Sequence, residues 1–171
     1  MAGQSHYILE TPIFDDPVKV LIVVAPYYKD IADDLVAGAR AELDKAGAVA
    51  DLVEVPGALE VPTAIRIAAD GGSYDGFVAL GCVIRGETTH YDTVCNDSSR
   101  ALQLLGLEGA CIGNGILTVE THEQAAVRAN PADQNKGGGA AAAALHLIAL
   151  TRRFGRSDGA IGFKTKDTGQ V

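Results

Sequence analysis

Among 171 residues there are only 14 Lys and Arg against 22 Asp and Glu, a formal net charge of −8. That shortage of cations argues against a nucleic-acid partner, because binding to a phosphate backbone rests on patches of Lys and Arg. Any anionic ligand has to be held by a local arrangement. Cysteine is sparse as well: Cys82, Cys95 and Cys111 are odd in number and form no C-x-x-C pair. No disulfide framework is expected, and a reducing, cytoplasmic location is the simpler reading. The N-terminus lacks the basic start and apolar stretch of a secretory signal, and no apolar run reaches the ~18 residues of a transmembrane span. There is no G-x-G-x-x-G after the first strand-like run and no P-loop, which argues against a dinucleotide or ATP site.

What the chain does have is a composition suited to one compact core, 47% hydrophobic and 21% charged. A chain of this length buries about two-thirds of the surface its unfolded form exposes. Residues 18–25, VKVLIVVA, form a β-branched run between Pro17 and Pro26, as expected of a parallel strand covered on both faces. From Asp30 to Ala46 the apolar positions Ile31, Leu35, Val36, Ala39 and Leu43 recur at helical spacing, and Gly47 supplies a stop. AVADLVEV (48–55) and YDGFVALGCVI (74–84) repeat the strand signal around the helix-like ALEVPTAIRIAADGG, whose Pro62 fits its first turn. A helix from about Asp92 to Leu105, the strand GACIGNGILT and helices in HEQAAVRAN and KGGGAAAAALHLIALTRRF follow. The small residues opening the last helix predict close approach to its neighbours, and His146 within it reads as a packed or hydrogen-bonded side chain.

This alternation predicts an α/β fold: a three-layer α/β/α sandwich with a central, mostly parallel four-stranded sheet, flavodoxin-like in type. Three regions follow: an N-terminal arm (1–17) that could pair with another subunit, a domain (18–154), and a flexible C-terminal tail (155–171). Ligands of such folds bind beyond the carboxyl ends of the strands. Tyr27, the segment Gly57 to Glu60, the segment Cys82 to His90 and the segment Asn114 to Thr118 all fall there.

The densest polar cluster is GCVIRGETTHY, residues 81–91. Gly81 and Gly86 are expected to give backbone freedom or close approach, letting the loop wrap a ligand. Thr88 and Thr89 offer hydroxyls and amides near a helix start, where an anion is favoured. His90 beside them is the best general acid/base candidate, its ordinary pKa near 6.5 suiting proton transfer at neutral pH. An isolated histidine is more often a cap or surface residue; the loop around this one reverses that balance. Arg85 reads equally as a substrate contact and as an ion-pair partner holding the loop.

In VPGALEVP (55–62) two prolines stiffen a turn that places Glu60 near a helix start. Hydrogen bonding to a planar heterocycle and simple stabilisation by the helix dipole are evenly matched there. Arg128 and Lys136 could clamp a phosphate, one as a fork and one as a point charge, although a solvated helix face is the slightly favoured alternative. Thr121 or His122 before Glu123 and Gln124 reads as a helix N-terminus. His90, Asp92 and Cys95 match no zinc spacing.

Taken together, VPGALEVP, GCVIRGETTHYD, GILTVETHEQAAVRA and NKG resemble the lumazine synthase family in order and spacing, over about residues 18–154. The resemblance implies condensation of 5-amino-6-(D-ribitylamino)uracil with 3,4-dihydroxy-2-butanone 4-phosphate to 6,7-dimethyl-8-ribityllumazine, phosphate and water, the penultimate step of riboflavin biosynthesis, without a cofactor. It implies that Tyr27 stacks on the pyrimidine, that Ala58, Leu59, Glu60 and the Cys82, Val83 and Ile84 backbone contact the heterocycle and ribityl chain, and that His90 shuttles protons. Gly86, Glu87 and Thr88 would meet the phosphate, with Arg128 neutralising it and Lys136 lining the same region. It further implies a homopentamer in which Asn114, Arg128 and Lys136 come from the neighbouring subunit, with riboflavin synthase as a candidate partner. Tyr27 stands where the family usually has Phe or Trp, and Asn114 where a bulky apolar residue is frequent. The stretch NPADQN lacks the glycine- and lysine-rich loop of shell-forming members, which points to a free pentamer. The competing expectation is a relative that binds lumazine or flavin, or forms shells, with little catalysis.

Overall fold

In the computed structural model, which describes residues 8–155, four strands alternate with five helices. Strands β1 (Lys19–Val24), β2 (Val49–Glu54), β3 (Gly76–Ile84) and β4 (Ile112–Val119) are all parallel and lie in the order β2-β1-β3-β4. Helices α1 (Lys29–Lys45), α2 (Glu60–Asp70), α3 (His90–Leu107), α4 (His122–Ala129) and α5 (Lys136–Gly155) supply the crossovers and the closing layer. The four-stranded parallel α/β sandwich is the fold expected from the alternation. The strand order reverses direction between β1 and β3, and the loops leaving those two strands diverge there, opening a crevice at their carboxyl ends.

The uninterrupted apolar runs are explained by burial of both sheet faces. Val20, Ile22 and Val24 of β1, with Val78, Leu80 and Cys82 of β3, join a core cluster that includes Leu35 and Leu43 of α1 and Ala141, Ala144, Leu145 and Ile148 of α5. The alternate side chains Leu21, Val23, Phe77 and Ala79 join Val61 and Ile65 of α2 and Leu102 of α3 on the opposite face. Period-two alternation sends successive side chains to two different dry layers, so no polar residue is needed in either register.

The glycine- and alanine-rich start of α5 does what small residues allow. A Cβ on Gly137 would lie closer than 3.0 Å to the Leu35 carbonyl oxygen, and one on Gly113 of β4 equally close to the carbonyl oxygen of Ala140. Helix α5 therefore lies almost backbone to backbone on α1 and β4. Asn135, in the left-handed region at φ 44°, turns the chain into α5, and its side-chain oxygen accepts the Gly138 N–H at 3.1 Å. His146 is half-buried on α5, and its charge bears on Glu42 of α1.

Some boundaries differ from expectation. Helix α3 starts at His90 rather than Asp92, because Thr89 adopts helical backbone angles (φ −68°, ψ −2°) and the helix begins without a side-chain cap. The described part of the arm lies on its own subunit. The Thr11 hydroxyl donates to Glu42 Oε1 at 2.8 Å, Phe14 packs on the core, and the Arg152 guanidinium donates to the carbonyls of Asp16 (2.9 Å) and Pro17 (2.8 Å). Residues 1–7 of the arm and 156–171 of the tail fall outside the described residues. Among the described residues no helix is long and apolar enough to cross a membrane.

Candidate active site

Three chain segments converge on the crevice at the carboxyl ends of β1, β2 and β3. After β1 the chain turns at Pro26 into Tyr27 and Tyr28; after β2 the stiff Pro56–Leu59 turn leads into α2; β3 runs out through Cys82, Val83 and Ile84 towards α3. Between them lies a cavity of ≈ 410 Å³ lined by Tyr27, Tyr28, Pro56, Gly57, Ala58, Leu59, Glu60, Cys82, Val83, Ile84, His90 and Val94. Eight of the residues selected from sequence, Tyr27, Ala58, Leu59, Glu60, Cys82, Val83, Ile84 and His90, thus share one wall. Four more complete it: Pro56 and Gly57, which the sequence placed in the turn beyond β2 without a role of their own, and Tyr28 and Val94, which sequence reasoning passed over. Tyr28 directly follows Tyr27 in the sequence, but that adjacency does not say which way its ring turns.

The two tyrosine rings meet edge to face, 5.1 Å between centroids, and Tyr27 is 76% exposed. An exposed aromatic face at the mouth of a cavity is suited to stacking on a flat heterocycle. At the start of α2 the Glu60 N–H bonds back to the Gly57 carbonyl at 3.2 Å, and the Glu60 carboxylate folds over Gly57, where a Cβ would come within 2.9 Å of Oε2. The Cys82 thiol is pushed up to about 11 by burial and by the nearby Asp30 carboxylate. It stays protonated at neutral pH, which removes thiolate attack from the chemistry open to this site. His90 is the exposed histidine on the cavity wall, at the first helical position of α3.

The loop from Arg85 to Thr89 is exposed, and the glycine reading of it needs correction. Neither Gly81 nor Gly86 has a positive φ. Gly81 sits inside β3, where a Cβ would make ordinary contact with Ala25 at 3.5 Å, while at Gly86 a Cβ would meet nothing within 4 Å. Gly86 therefore contributes open space rather than an unusual backbone. The His90 N–H points at Thr88 Oγ1 at 3.4 Å, a long contact that holds it weakly. Gly86, Glu87 and Thr88 line none of the described hollows of the isolated chain.

Asn114, Arg128 and Lys136 fall in a different hollow of ≈ 460 Å³ beside the outer edge strand β4. Asn114 Oδ1 accepts the Ile116 N–H at 3.0 Å, and Arg128 Nη1 donates to the Gln124 carbonyl at 3.0 Å. Lys136 opens α5, whose first turn carries no acidic residue. A cation at a helix N-terminus opposes the helix dipole, so this residue breaks a local rule. Two cations and a helix N-terminus on one concavity make it attractive to an anion. One subunit thus carries an aromatic and imidazole face in one place and a cationic face in another.

Arg85, left open between two roles, is an ion-pair partner: it reaches Glu120 at 3.0 Å and Asp92 at 3.3 Å. The expected N-terminus of α4 is capped by Thr121, whose side chain accepts the Gln124 N–H at 3.3 Å.

Known proteins place these features in context. A family model for 6,7-dimethyl-8-ribityllumazine synthase matches residues 17–152. The chain is 59% identical over 171 residues to the 6,7-dimethyl-8-ribityllumazine synthase of Jannaschia sp. (strain CCS1), covering all of this chain and 96% of that one. It is 59% identical over 140 residues to the enzyme of the same name from Methylorubrum extorquens (strain PA1), covering 78% and 81% of the two chains. Over 145 residues it is 55% identical to 6,7-dimethyl-8-ribityllumazine synthase 1 of Rhizobium meliloti (strain 1021), covering 81% and 95%. The match takes in the whole sheet, every loop of the cavity and the cationic hollow, and on that breadth the chain belongs to the lumazine synthase family.

Proposed function

We infer that the chain is a transferase of riboflavin biosynthesis that condenses 5-amino-6-(D-ribitylamino)uracil with 3,4-dihydroxy-2-butanone 4-phosphate, giving 6,7-dimethyl-8-ribityllumazine, phosphate and water. The observation that carries the assignment of roles is the cavity at the β1/β3 switch point, where an exposed aromatic, a folded-back carboxylate and an imidazole face one space. Tyr27 stacks on the pyrimidine. Glu60 and the backbone of Ala58, Leu59, Cys82, Val83 and Ile84 hold the edge of the heterocycle and the ribityl chain.

The reaction needs little beyond orientation and proton transfer. The pyrimidine amine adds to the ketone carbonyl, water leaves to give an imine, and loss of a proton from the carbon chain expels phosphate. The second nitrogen then closes the ring with loss of water. His90, exposed at the first position of α3, takes protons from nitrogen and carbon and returns them to the departing oxygens. Holding both reactants in one cavity supplies much of the remaining acceleration.

The phosphate is received by the exposed Gly86–Thr88 segment, with Arg128 and Lys136 neutralising it. Within one chain those cations line another hollow, so they act on the neighbouring subunit's cavity. The family is oligomeric, and a ring of five such subunits, with Asn114, Arg128 and Lys136 donated across each junction, makes every site whole. An acidic chain thereby holds an anion through local cations alone. The domain read from the sequence at residues 18–154 carries this site, a reading supported by a family match over nearly the same stretch, residues 17–152.

The test is direct. Purified protein given both substrates is expected to release product, seen by its fluorescence, with no added cofactor. His90→Ala should lower kcat by about 10²-fold or more, the usual contribution of a positioned acid/base. Arg128→Ala should chiefly raise the KM of the phosphate-bearing substrate. Tight product binding without turnover by the wild-type protein would instead identify a binding relative.

A further inference from the structure

Arg85 lies one residue beyond β3 and touches neither hollow, yet it is the most heavily tethered side chain near the reaction loop. Its N–H donates to the Val119 carbonyl at 2.9 Å, extending the β3–β4 pairing past Ile84. Its Nε donates to Glu120 (3.1 Å to Oε1), its Nη2 donates to Asp92 Oδ1 (3.3 Å), and its guanidinium lies over the Tyr91 ring, 4.0 Å from the centroid. Exposed ion pairs contribute little to stability one by one. Here they connect points that matter. Arg85 precedes the Gly86–Thr89 segment and Asp92 follows it, so their bond ties the two ends of that loop together.

The bonds continue on the far side. The Glu120 N–H donates to Gln124 Oε1 at 2.9 Å, and the Gln124 carbonyl accepts from Arg128 Nη1 at 3.0 Å. One path of side-chain and main-chain hydrogen bonds therefore runs from the first turn of α3, which carries His90, through Asp92, Arg85, Glu120 and Gln124 to Arg128.

We propose that Arg85 is a positioning residue for the condensation, its guanidinium forked between Asp92 and Glu120 and laid on Tyr91 so as to close the Gly86–Thr89 loop in its phosphate-receiving shape. The inference rests on the assignment of that loop to phosphate made above. Gly86 has open space around it and the loop is exposed, so untethered it would sample many backbone states. A displacement of about 1 Å at a reacting group can cost on the order of 10²-fold in rate. The fork matters as well as the charge, because only a planar guanidinium can serve two carboxylates and a ring face together.

The experiment uses the full-length assembled protein with the two substrates varied separately. Arg85→Gln is expected to raise the KM of the phosphate-bearing substrate and lower kcat by about tenfold each, while the pyrimidine KM changes less than about twofold. Arg85→Lys should recover only a minor part of this, and Glu120→Gln on the Arg85→Gln background should add little, since both break one tether. The affinity for inorganic phosphate, read by calorimetry, should fall in parallel.

Full rescue by Lys would reduce Arg85 to a diffuse charge and overturn the proposal. Wild-type kinetics and phosphate affinity in Arg85→Gln would do the same, as would a lowered melting temperature with both KM values moving together. If Arg85→Gln does not fold, Glu120→Gln alone carries the same expectation. A wild-type protein without turnover would defeat the functional assignment, while the phosphate titration of the variants would still decide the role of Arg85.

Discussion

The Tyr27 and Tyr28 rings stand edge to face, 5.1 Å apart and inclined at 69°, and behind Tyr28 the His122 ring stands edge to face again at 6.3 Å. His122 Nε2 lies 2.9 Å from Asp30 Oδ2. Tyr28, half-buried, is thus wedged between the exposed Tyr27 and the start of α4. Burial raises the Tyr28 phenol above its ordinary value, with the neighbouring Tyr27 adding to the shift, so the ring remains neutral throughout the working pH range.

This wedge predicts an unequal response to substitution. Removing the Tyr28 ring frees Tyr27 to rotate, and an aromatic pair contributes about 0.5–1.5 kcal/mol beyond its area. Tyr28→Ala should therefore raise the pyrimidine KM by about three- to tenfold and leave the KM of the phosphate-bearing substrate nearly unchanged. Tyr27→Phe, which keeps the face and loses only the hydroxyl, should stay close to wild type. Steady-state kinetics with each substrate varied in turn checks both; equal effects on the two KM values would contradict the wedge.

How far the sequence reaches is visible in these same residues. The central strands β1 and β3 were readable because burial on both faces turns them into unbroken apolar runs, the edge strands β2 and β4 by their shorter apolar stretches, and the helices because one stripe of each is apolar. Tyr27 was readable as an aromatic just past a strand end. Tyr28 was not, because its direction is set by how α1 begins and by His122, 94 positions away in the chain. Arg85 stayed ambiguous for the same reason: Glu120 is 35 positions distant, and no local pattern reports a partner delivered by sheet pairing. The start of α3 was misplaced by two residues because Thr88 and Thr89 carry loop-like side chains while the Thr89 backbone is already helical.

Packing around α5 gives a prediction of opposite signs for neighbouring changes. A Cβ on Gly113 would run into the Ala140 carbonyl, which belongs to a helix backbone and cannot give way, whereas Gly139 on the exposed side of α5 has nothing within 4 Å. Gly113→Ala should destabilise by about 3 kcal/mol, at the upper end for overpacking. Gly139→Ala should stabilise the separated subunit by about 0.5–1 kcal/mol, from the better helix propensity of alanine; Gly139 lines the hollow assigned above to the subunit junction, so the gain is read on the dissociated chain. Chemical denaturation of both variants reads the contrast, and a neutral Gly113→Ala would mean that α5 rides higher on β4 than described.

The Thr11–Glu42 bond makes docking of the arm dependent on pH. Burial alone would raise the Glu42 carboxyl, but bonds from Lys45 and Thr11, with the charges of Lys45 and His146, outweigh it and hold the group below its ordinary value of 4.5. A carboxyl lowered by folding adds stability that is complete above the unfolded value and disappears as pH falls through the folded one. Thr11→Val removes one of the bonds to the charged form. It should cost about 1 kcal/mol at pH 7, and the difference from wild type should shrink as pH falls through the lowered folded value of Glu42, below which both chains carry the group neutral. Denaturation midpoints of the two proteins measured across that range provide the check. A difference that stayed constant with pH would mean that Thr11 holds the arm through its backbone, leaving the Glu42 carboxylate as a bystander.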